Sequence, residues 1–294
     1  MRQQIAPLRM SPVQIAEINA YFLRYNNTPL AVFSGISPAQ MNELLRNPWG
    51  PASPLQLRCE LADEVLDQIP FLRLTEELLR VVRRDGFIKL TALGALPGKY
   101  LHELYGLGFL RESGIEAGYI KLHRETDVPG LSTVHRNAEM AGLLRKVHGK
   151  ITLTKNGERL GQPAHRTELL RRVLSIFTEK FNWAYHDGYD APLVGQFGWG
   201  FTVYQLLKFG DQPRPLQFYA DKYQQAFPHL LAGFLGNAWQ TPAEQLLPCY
   251  GHRTFGHFAQ WFGLADIEEY RLGREQADCL VSVEPLLKQV FEFN

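Results

Sequence analysis

The sequence feature that most constrains the fold is a short pattern that occurs twice. "DGFIKLTALGALP" covers residues 85–97, and "HGKITLTKNGERL" covers residues 148–160. In each copy a glycine precedes a short β-prone run that ends in Leu-Thr, and a second glycine follows the threonine. The matched pairs all keep one offset of 63 residues: Gly86/Gly149, Leu90/Leu153, Thr91/Thr154 and Gly94/Gly157. Four matches at a single offset predict a repeated structural unit.

The residues of the pattern predict what that unit contains. Glycine commonly ends a helix, and threonine commonly caps the start of one. In the first copy the helix of residues 70–85 ends at Gly86; in the second, "STVHRNAEMAGLLRKVHG" (132–149) ends at Gly149, "KITL" forms a strand and Gly157 ends the turn capped by Thr154. Helix, turn, strand and new helix are typical of the end of a winged-helix unit.

A third, weaker copy is indicated near the C-terminus. An apolar-faced helix around residues 255–262 is followed by a stop near Gly263 and by two β-prone stretches, "ADIEEY" and "CLVSV", on either side of Gly273. A last helix is predicted from Pro285. Here the threonine and the stopping glycine are absent, so the third copy is a degenerate one.

Helix signals also dominate the rest of the chain. Ser11-Pro12 and Ser37-Pro38 each place a capping hydroxyl before a proline at the first helical position. The apolar spacing after each predicts a short packed helix, while residues 46–57, with three prolines, predict an irregular loop. Two aromatic-rich helices, 169–181 and 194–210, are predicted on either side of a loop at 182–192. Within them "GQFGWG" (195–200) lacks a phosphate-loop pattern and indicates close helix packing.

We therefore predict a mainly α-helical protein with small β wings, in which tandem winged-helix-like modules flank a helical linking domain. The predicted boundaries are an N-terminal helical segment (1–69), module 1 (70–126), module 2 (127–164), the linking domain (165–240) and a degenerate C-terminal module (241–294).

Composition limits the class of protein. The chain has 294 residues, of which 45% are hydrophobic and 21% charged, as is usual for globular proteins. It has no uninterrupted apolar run long enough for a membrane helix, and its first residues lack the apolar core of a signal peptide, which predicts a cytoplasmic protein without membrane contact. Cys59, Cys249 and Cys279 are isolated, so we expect reduced thiols, no metal site and no cofactor.

The charges are unevenly distributed along the chain. Residues 135–172 contain nine Lys/Arg against three Glu, a net charge of +6, whereas residues 240–294 contain four Lys/Arg against eight Asp/Glu, a net charge of −4. Because basic side chains on a winged-helix unit bind phosphate, the preferred function is non-enzymatic nucleic-acid binding through module 2. The predicted contact residues are Arg136, Arg145, Lys146, Lys150 and Lys155.

Two other functions are open at this stage. The basic and acidic regions are equally consistent with two solvated faces that attract each other across the fold. The first alternative function is a protein–protein adaptor or scaffold without a nucleic-acid role. A metal-dependent hydrolase is a distant third, using His186 and Asp187 of "AYHDGYD" with His252 and His257 of "CYGHRTFGHF". Against it, residues five apart on an α-helix lie about 140° apart, so the last two histidines would not share a face. An Asp-Gly turn explains "HDGYD" without chemistry.

Several segments together resemble a known group of proteins. They are "GISPAQM…LL" (35–45), "SPLQL" (53–57), "IKLTALGALPGKYLHELY" (88–105), "ITLTKNGERL" (151–160), "FNWAYHDGYD" (181–190) and the C-terminal "FGLADIEEY…LVSVEPLLKQVF". This set resembles a family of uncharacterised bacterial proteins, often associated with plasmids or mobile elements, that is distantly similar in style to SEC-C-associated proteins. The resemblance implies no catalytic residue or ligand, and the clustered Cys and His of a SEC-C motif are not seen in this sequence.

Overall fold

The computed structural model describes residues 10–185, 187–236, 240–272 and 276–294. The α-helices are α1 Pro12–Asn27, α2 Pro38–Arg46, α3 Asp63–Leu66, α4 Pro70–Asp85, α5 Gly98–Tyr105, α6 Ser113–Glu116, α7 Pro129–Met140, α8 Lys155–Leu160, α9 Arg166–Glu179, α10 Trp199–Phe209, α11 Leu216–Ala226, α12 Pro242–Tyr250 and α13 Leu286–Val290. A π-helix, Gly251–Ala259, continues α12, and 3-10 turns lie at Ala31–Phe33, Glu125–Asp127, Pro163–His165 and Pro228–Gly233. The strands are β1 Leu55–Leu57, β2 Ile88–Lys89, β3 Leu144–Val147, β4 Lys150–Leu153, β5 Arg214–Pro215, β6 Ala265–Leu272, β7 Gln276–Val283 and β8 Phe291–Phe293.

The described chain is mainly helical and carries small antiparallel sheets, which confirms the predicted class at that level. The sheets have the strand orders β1-β8, β2-β4-β3 and β5-β7-β6. Buried apolar side chains from Ile36 to Phe291 form one continuous cluster.

The two N-terminal helices begin as predicted. Ser11 and Ser37 each accept a hydrogen bond from the backbone N–H three residues later, and each helix has a complete capping box. Packing differs between them. α2 buries Met41 and Leu44, whereas α1 buries no side chain, so the prediction of a packed helix is confirmed for α2 and wrong for α1. Caps and helical spacing define a helix but do not determine what covers it.

Strands from the two copies of the repeated pattern lie side by side. β2 pairs with β4, with Ile88 opposite Ile151 and Lys89 opposite Lys150, and β3 pairs with the other edge of β4. The segments predicted as two modules, 70–126 and 127–164, therefore contribute to one sheet and do not form a sheet each.

The local structure of the two copies also differs. Gly86 follows α4 with a positive φ of 75°, as predicted for a helix stop. The prediction that the second helix runs to Gly149 is wrong, because α7 ends at Met140 and β3 follows it. Gly149 instead lies with His148 in the turn between β3 and β4, where both have positive φ. The β3–β4 hairpin, closed by this two-residue turn, replaces the predicted helix.

The second glycine of the pattern has a different role in each copy. Gly94 closes a turn with a φ of 78°, as expected. Thr154 caps α8 by accepting the N–H of Gly157, but Gly157 lies inside that helix and does not end it. A Cβ on Gly157 would come within 2.1 Å of the carbonyl oxygen of Leu143. The glycine is needed there for close approach of two backbones.

Other predicted elements are confirmed with two corrections. The two β-prone C-terminal stretches form the β6–β7 hairpin, and Gly263 follows the preceding helix with a φ of 67°; Gly273 lies outside the described residues. The segment 46–57 is not wholly irregular, because β1 at its end pairs with β8 near the C-terminus. The helix predicted at 194–210 begins only at Trp199, because Gly198, in a left-handed conformation, packs against Phe227.

An aromatic core joins the helices behind the candidate site. The ring of Phe71 in α4 lies 5.5 Å from that of Phe177 in α9, which lies 6.1 Å from that of Phe258 in the π-helix. The π-helix is thus fixed against α9, and its exposed side faces the beginning of α7 across a cleft.

Candidate functional site

The five predicted nucleic-acid contacts are all exposed. Arg145, Lys146 and Lys150 lie on the β3–β4 hairpin, Arg136 lies on α7, and Lys155 begins α8. Among the described residues none of the five forms an ion pair. Their positive charges are therefore not neutralised by neighbouring carboxylates.

The other cations of the basic stretch 135–172 have structural partners. Arg159 pairs with Glu168 at 2.5 Å, and Arg166 bonds to the carboxylates of Asp63, Asp67 and Glu76. The guanidinium groups of Arg171 and Arg172 donate to the backbone carbonyls of Leu57 and Ala141. The net charge of +6 therefore overstates the free basic surface, which is concentrated on the hairpin and the exposed edge of α7.

A cleft of about 490 Å³ lies beside the hairpin. We call it the basic cleft; it is lined by the turn 91–96, by Gly98, by segment 123–126, by Ser132, His135, Arg136 and Glu139 of α7, and by Lys146 of the hairpin. Arg136 and Lys146 are the two predicted contacts that it brings together. Arg145, Lys150 and Lys155 do not line it; Arg145 donates to Thr152, and the ammonium of Lys150 lies 4.0 Å from the centre of the Phe87 ring.

A buried hydrogen-bond chain holds two walls of the basic cleft together. The carboxylate of Glu125 accepts the backbone N–H of Leu96 at 2.5 Å and lies 2.7 Å from Nδ1 of His135. Glu125 and His135 are only 5% and 3% exposed. Glu125 therefore connects the turn 91–96 to α7. No local pattern predicts this contact, because Leu96 and Glu125 are distant along the chain.

The π-helix changes the geometry of the two C-terminal histidines. The rings of His252 and His257 lie 4.2 Å apart, so the prediction that they would not share a face is wrong. That prediction assumed 3.6 residues per turn, whereas a π-helix closes its hydrogen bonds five residues apart. His257 also stacks on Trp261, with ring centres 4.2 Å apart. The wider turn therefore builds a row of three rings along one edge of the cleft.

The fully buried Arg253 of the π-helix anchors the loop opposite. Its guanidinium makes a two-point ion pair with Asp187 and donates to the carbonyls of Ala191, Val194 and Tyr189. Burial disfavours the ionised form of Asp187, but the hydrogen bonds from Arg253 and from the Tyr189 N–H outweigh it, and its pKa is lowered. The loop 187–194 is thereby fixed to the π-helix through one side chain.

The π-helix, the loop and the beginning of α7 enclose a second cleft of about 460 Å³. We call it the aromatic cleft. Its lining residues are Thr126, Pro129, Ser132, Thr133, Phe177, Phe181, Trp183, Tyr185, Asp187, His252, Arg253, His257 and Trp261. The two clefts adjoin, since Thr126 and Ser132 line both. At the junction the guanidinium of Arg136 lies 4.6 Å from the centre of the Tyr185 ring.

The titratable groups of the aromatic cleft are held in defined charge states at neutral pH. Burial lowers the pKa of His257 to about 3, with a further contribution from His252, and burial also lowers the pKa of His252. Both imidazoles are therefore neutral, and each offers one donor and one acceptor. Nearby, burial raises the pKa of Cys249 to about 12, so this thiol is protonated, as expected of an inert cysteine.

The arrangement limits the hydrolase hypothesis. Asp187 does lie near His252, as that hypothesis required, but both of its carboxylate oxygens are bonded to Arg253. Among the described residues no group of three His, Cys, Asp or Glu side chains is placed to hold a metal ion. His186 lies outside the described residues.

Sequence reasoning missed the residues that build the aromatic cleft. Arg253 lies between His252 and His257, the candidate site residues of the hydrolase hypothesis. No spacing rule marks it as a buried ion-pair partner. Trp183 and Tyr185 lie in the loop predicted at 182–192, where no motif marks them as site residues, yet Tyr185 is 43% exposed. The sequence signal that could have indicated this cleft is the aromatic Tyr185 two positions before Asp187 in a predicted loop.

Comparison of the chain with protein-family models, with curated proteins and with solved structures finds no match in any of the three. The resemblance stated from the sequence therefore stays a prediction. Among the described residues, none of the helices combines the length and the hydropathy that crossing a bilayer requires.

Proposed function

We propose that this protein binds nucleic acid through the β3–β4 hairpin and the basic cleft. The observation that carries the proposal is the set of five exposed cations without carboxylate partners, two of which line one cleft. Phosphate binding needs cations of this kind, since pairing with Lys and Arg releases the counterions of the nucleic acid. The cations of the same stretch that are bonded within the fold are not part of the proposed surface.

The order of elements supports this proposal. Residues 70–153 run as helix α4, strand β2, helices α5, α6 and α7, and hairpin β3–β4, with β2 paired to β4. We infer that they make up a single winged-helix-like unit, with α7 as the helix before the wing. Both copies of the repeated pattern then belong to one unit, the first giving its initial strand and the second its wing.

The exposure of α7 indicates how this unit would contact nucleic acid. Seven of its twelve residues are buried, and only Pro129, Arg136 and Met140 are exposed. A helix that reads bases in the major groove presents several side chains to base edges. α7 presents too few exposed side chains for this. We therefore propose that the protein contacts the phosphates of a nucleic-acid strand that lies in the clefts.

The experiment is a binding titration with fluorescently labelled probes, one duplex and one single strand of the same sequence. We expect Lys146→Glu/Lys150→Glu to weaken binding at least tenfold at about 50 mM salt, because each reversal removes a phosphate contact. The slope of log K against log salt should also fall by about 2 for this variant.

The matched control is Lys180→Glu/Lys288→Glu. Both lysines are exposed, and neither lines the basic or the aromatic cleft. It changes the net charge equally, so equal losses in the two double variants would contradict a hairpin site. Absence of binding to either probe at low salt would leave the adaptor hypothesis ahead.

One observation favours that second function. The apolar side chains of α1 are exposed, among them Val13 (67%), Phe22 (54%) and Leu23 (66%). Exposed apolar patches are typical of protein-contact surfaces. As an adaptor, the protein would lose its protein partner on Val13→Ser/Phe22→Ser and would bind neither nucleic-acid probe before or after this change. The cytoplasmic location expected from the sequence is part of the nucleic-acid proposal, since nucleic acid is accessible in the cytoplasm.

A further inference from the structure

We propose that the aromatic cleft accepts one unstacked nucleobase from a single strand whose phosphates follow the basic cleft. This inference rests on the proposed nucleic-acid binding and names the form of nucleic acid that the site takes. A base within a duplex is stacked on both faces and cannot enter a cleft, so the proposal also implies a preference for single strands.

The first argument is the continuity of the two clefts. Thr126 and Ser132 line both, and Arg136 of the basic cleft lies over the ring of Tyr185 in the aromatic cleft. Cations and rings that alternate along a groove are the usual means of binding a single strand, because phosphates and bases alternate in the same way.

The second argument is the shape and chemistry of the aromatic cleft. Its volume of about 460 Å³ falls within the range of small-molecule sites, which is roughly 300–1,000 Å³. Tyr185, which is 43% exposed, contributes the accessible ring of the cleft, and Trp261, which is 7% exposed, supports this lining from behind by stacking on His257. A planar, aromatic ligand fits this composition better than a flexible apolar chain, because each base has two π-faces.

The third argument concerns the polar groups that the cleft offers. His252 and His257, which are neutral, line the aromatic cleft, and the hydroxyl-bearing residues Thr126 and Ser132 line its junction with the basic cleft. The acidic residue of the cleft, Asp187, is occupied by Arg253. A neutral ligand edge with both donors and acceptors, such as a nucleobase has, matches these groups, whereas a cationic amine finds no free carboxylate among the described lining residues.

The test compares four probes: an oligothymidylate of about twelve nucleotides, an abasic phosphodiester strand of the same length, the duplex with the complementary oligoadenylate, and thymidine monophosphate. Affinity is measured by titration, and entry into the cleft by the change in tryptophan emission, since Trp183 and Trp261 line it. We expect the oligothymidylate to change the emission and to bind about tenfold more tightly than the abasic strand, as loss of one stacked base requires.

The matched variants are Tyr185→Ala and Tyr185→Phe. The alanine variant removes the stacking ring at the exposed edge of the cleft and should lower the affinity for oligothymidylate to that for the abasic strand. The phenylalanine variant keeps the ring and should bind as the unchanged protein does. Neither substitution introduces a side chain larger than that of tyrosine, so neither can block the cleft.

The outcomes separate this inference from the proposed function. Suppose that the unchanged protein binds the abasic and thymidylate strands equally and that Lys146→Glu/Lys150→Glu abolishes the binding of both. Nucleic-acid binding then stands, and the proposed base site is wrong. If thymidine monophosphate changes the emission at the same concentration as the oligothymidylate, the aromatic cleft is a free-nucleotide site and the proposed contribution of the basic cleft to its ligand is wrong. If no strand binds, both proposals fail.

Discussion

The rings of His252 and His257 lie 4.2 Å apart although the two residues are five positions apart in sequence, and this proximity defines one edge of the aromatic cleft. An α-helix would turn these side chains away from each other. The π-helix Gly251–Ala259 brings them together and at the same time directs Arg253, which lies between them, into the core. One irregular helix therefore supplies both the polar edge of the cleft and the anchor of the loop that closes it.

The neutral state of His257 predicts a loss of stability in acid. Its pKa is about 3 in the folded protein and about 6.5 in an unfolded chain, so between these values only the unfolded state takes up the proton. The contribution is complete above pH 6.5, and the free energy of unfolding should fall by about 1 kcal/mol per pH unit as pH decreases towards 3. The groups that face His257 are His252, Asp187 and Arg253.

Urea unfolding at pH 7.5 and pH 5 measures this effect. His257→Gln removes the titrating group and keeps a polar side chain, so the difference in unfolding free energy between the two pH values should shrink in the variant. An unchanged difference would show that other groups cause the acid sensitivity.

The ion pair of Arg253 with Asp187 predicts a large cost when one member is removed. Arg253→Met leaves a carboxylate that is 2% exposed without its partner, and we expect a loss of about 3–5 kcal/mol in unfolding free energy. Arg253→Met/Asp187→Leu removes both charges and should cost less than the sum of the single variants. Additive losses, measured by chemical denaturation, would contradict strong coupling.

The control for this experiment is Arg58→Met. Arg58 pairs with Glu292 at 3.0 Å, but both side chains are more than 40% exposed, so the pair is screened by solvent. We expect a change of about 0–1 kcal/mol. The contrast between the two arginines separates the effect of burial from that of losing an arginine.

Local signals in the sequence predicted the elements well. Ser37 and Thr154 cap helices as expected, and the glycine after α4 ends it. Such features depend on residues within one turn of each other, so they can be recognised without knowing the fold.

Long-range relationships could not be predicted in the same way. The pairing of β2 with β4 places two copies of one pattern in one sheet, and β1 finds its partner at β8. Similarly, Arg253 gains its role from a loop more than fifty residues before it. Of the candidate site, the exposed cations were predictable from charge, whereas the aromatic cleft depends on a π-helix that periodicity rules do not anticipate.

The connection between Glu125 and His135 predicts that the basic cleft depends on a buried carboxylate. Glu125→Gln keeps the size of the side chain but weakens its contacts with the Leu96 N–H and with His135, so we expect a loss of about 1–3 kcal/mol in unfolding free energy. The exposed Glu64→Gln, for whose side chain no hydrogen bond or ion pair is found among the described residues, should change stability by less than about 0.5 kcal/mol. Equal stability of the two variants would show that the buried contact is dispensable.

The backbone of Gly157 lies so close to that of Leu143 that there is no room for a Cβ atom at residue 157. A Cβ at this position would lie 2.1 Å from the backbone oxygen of Leu143, and neither backbone can move without disturbing the β3–β4 hairpin. Gly157→Ala should therefore lower the free energy of unfolding by about 1–3 kcal/mol, because overpacking against a fixed backbone cannot be relieved by a rotamer change.

Gly98→Ala is the matched control. Gly98 lies at the start of α5 with no atom within 4 Å of an added Cβ, so this substitution should be neutral or stabilising by up to about 1 kcal/mol. Thermal or urea unfolding of the two variants decides the matter, and a Gly157→Ala protein as stable as the control would mean that α8 does not pack against the hairpin as described.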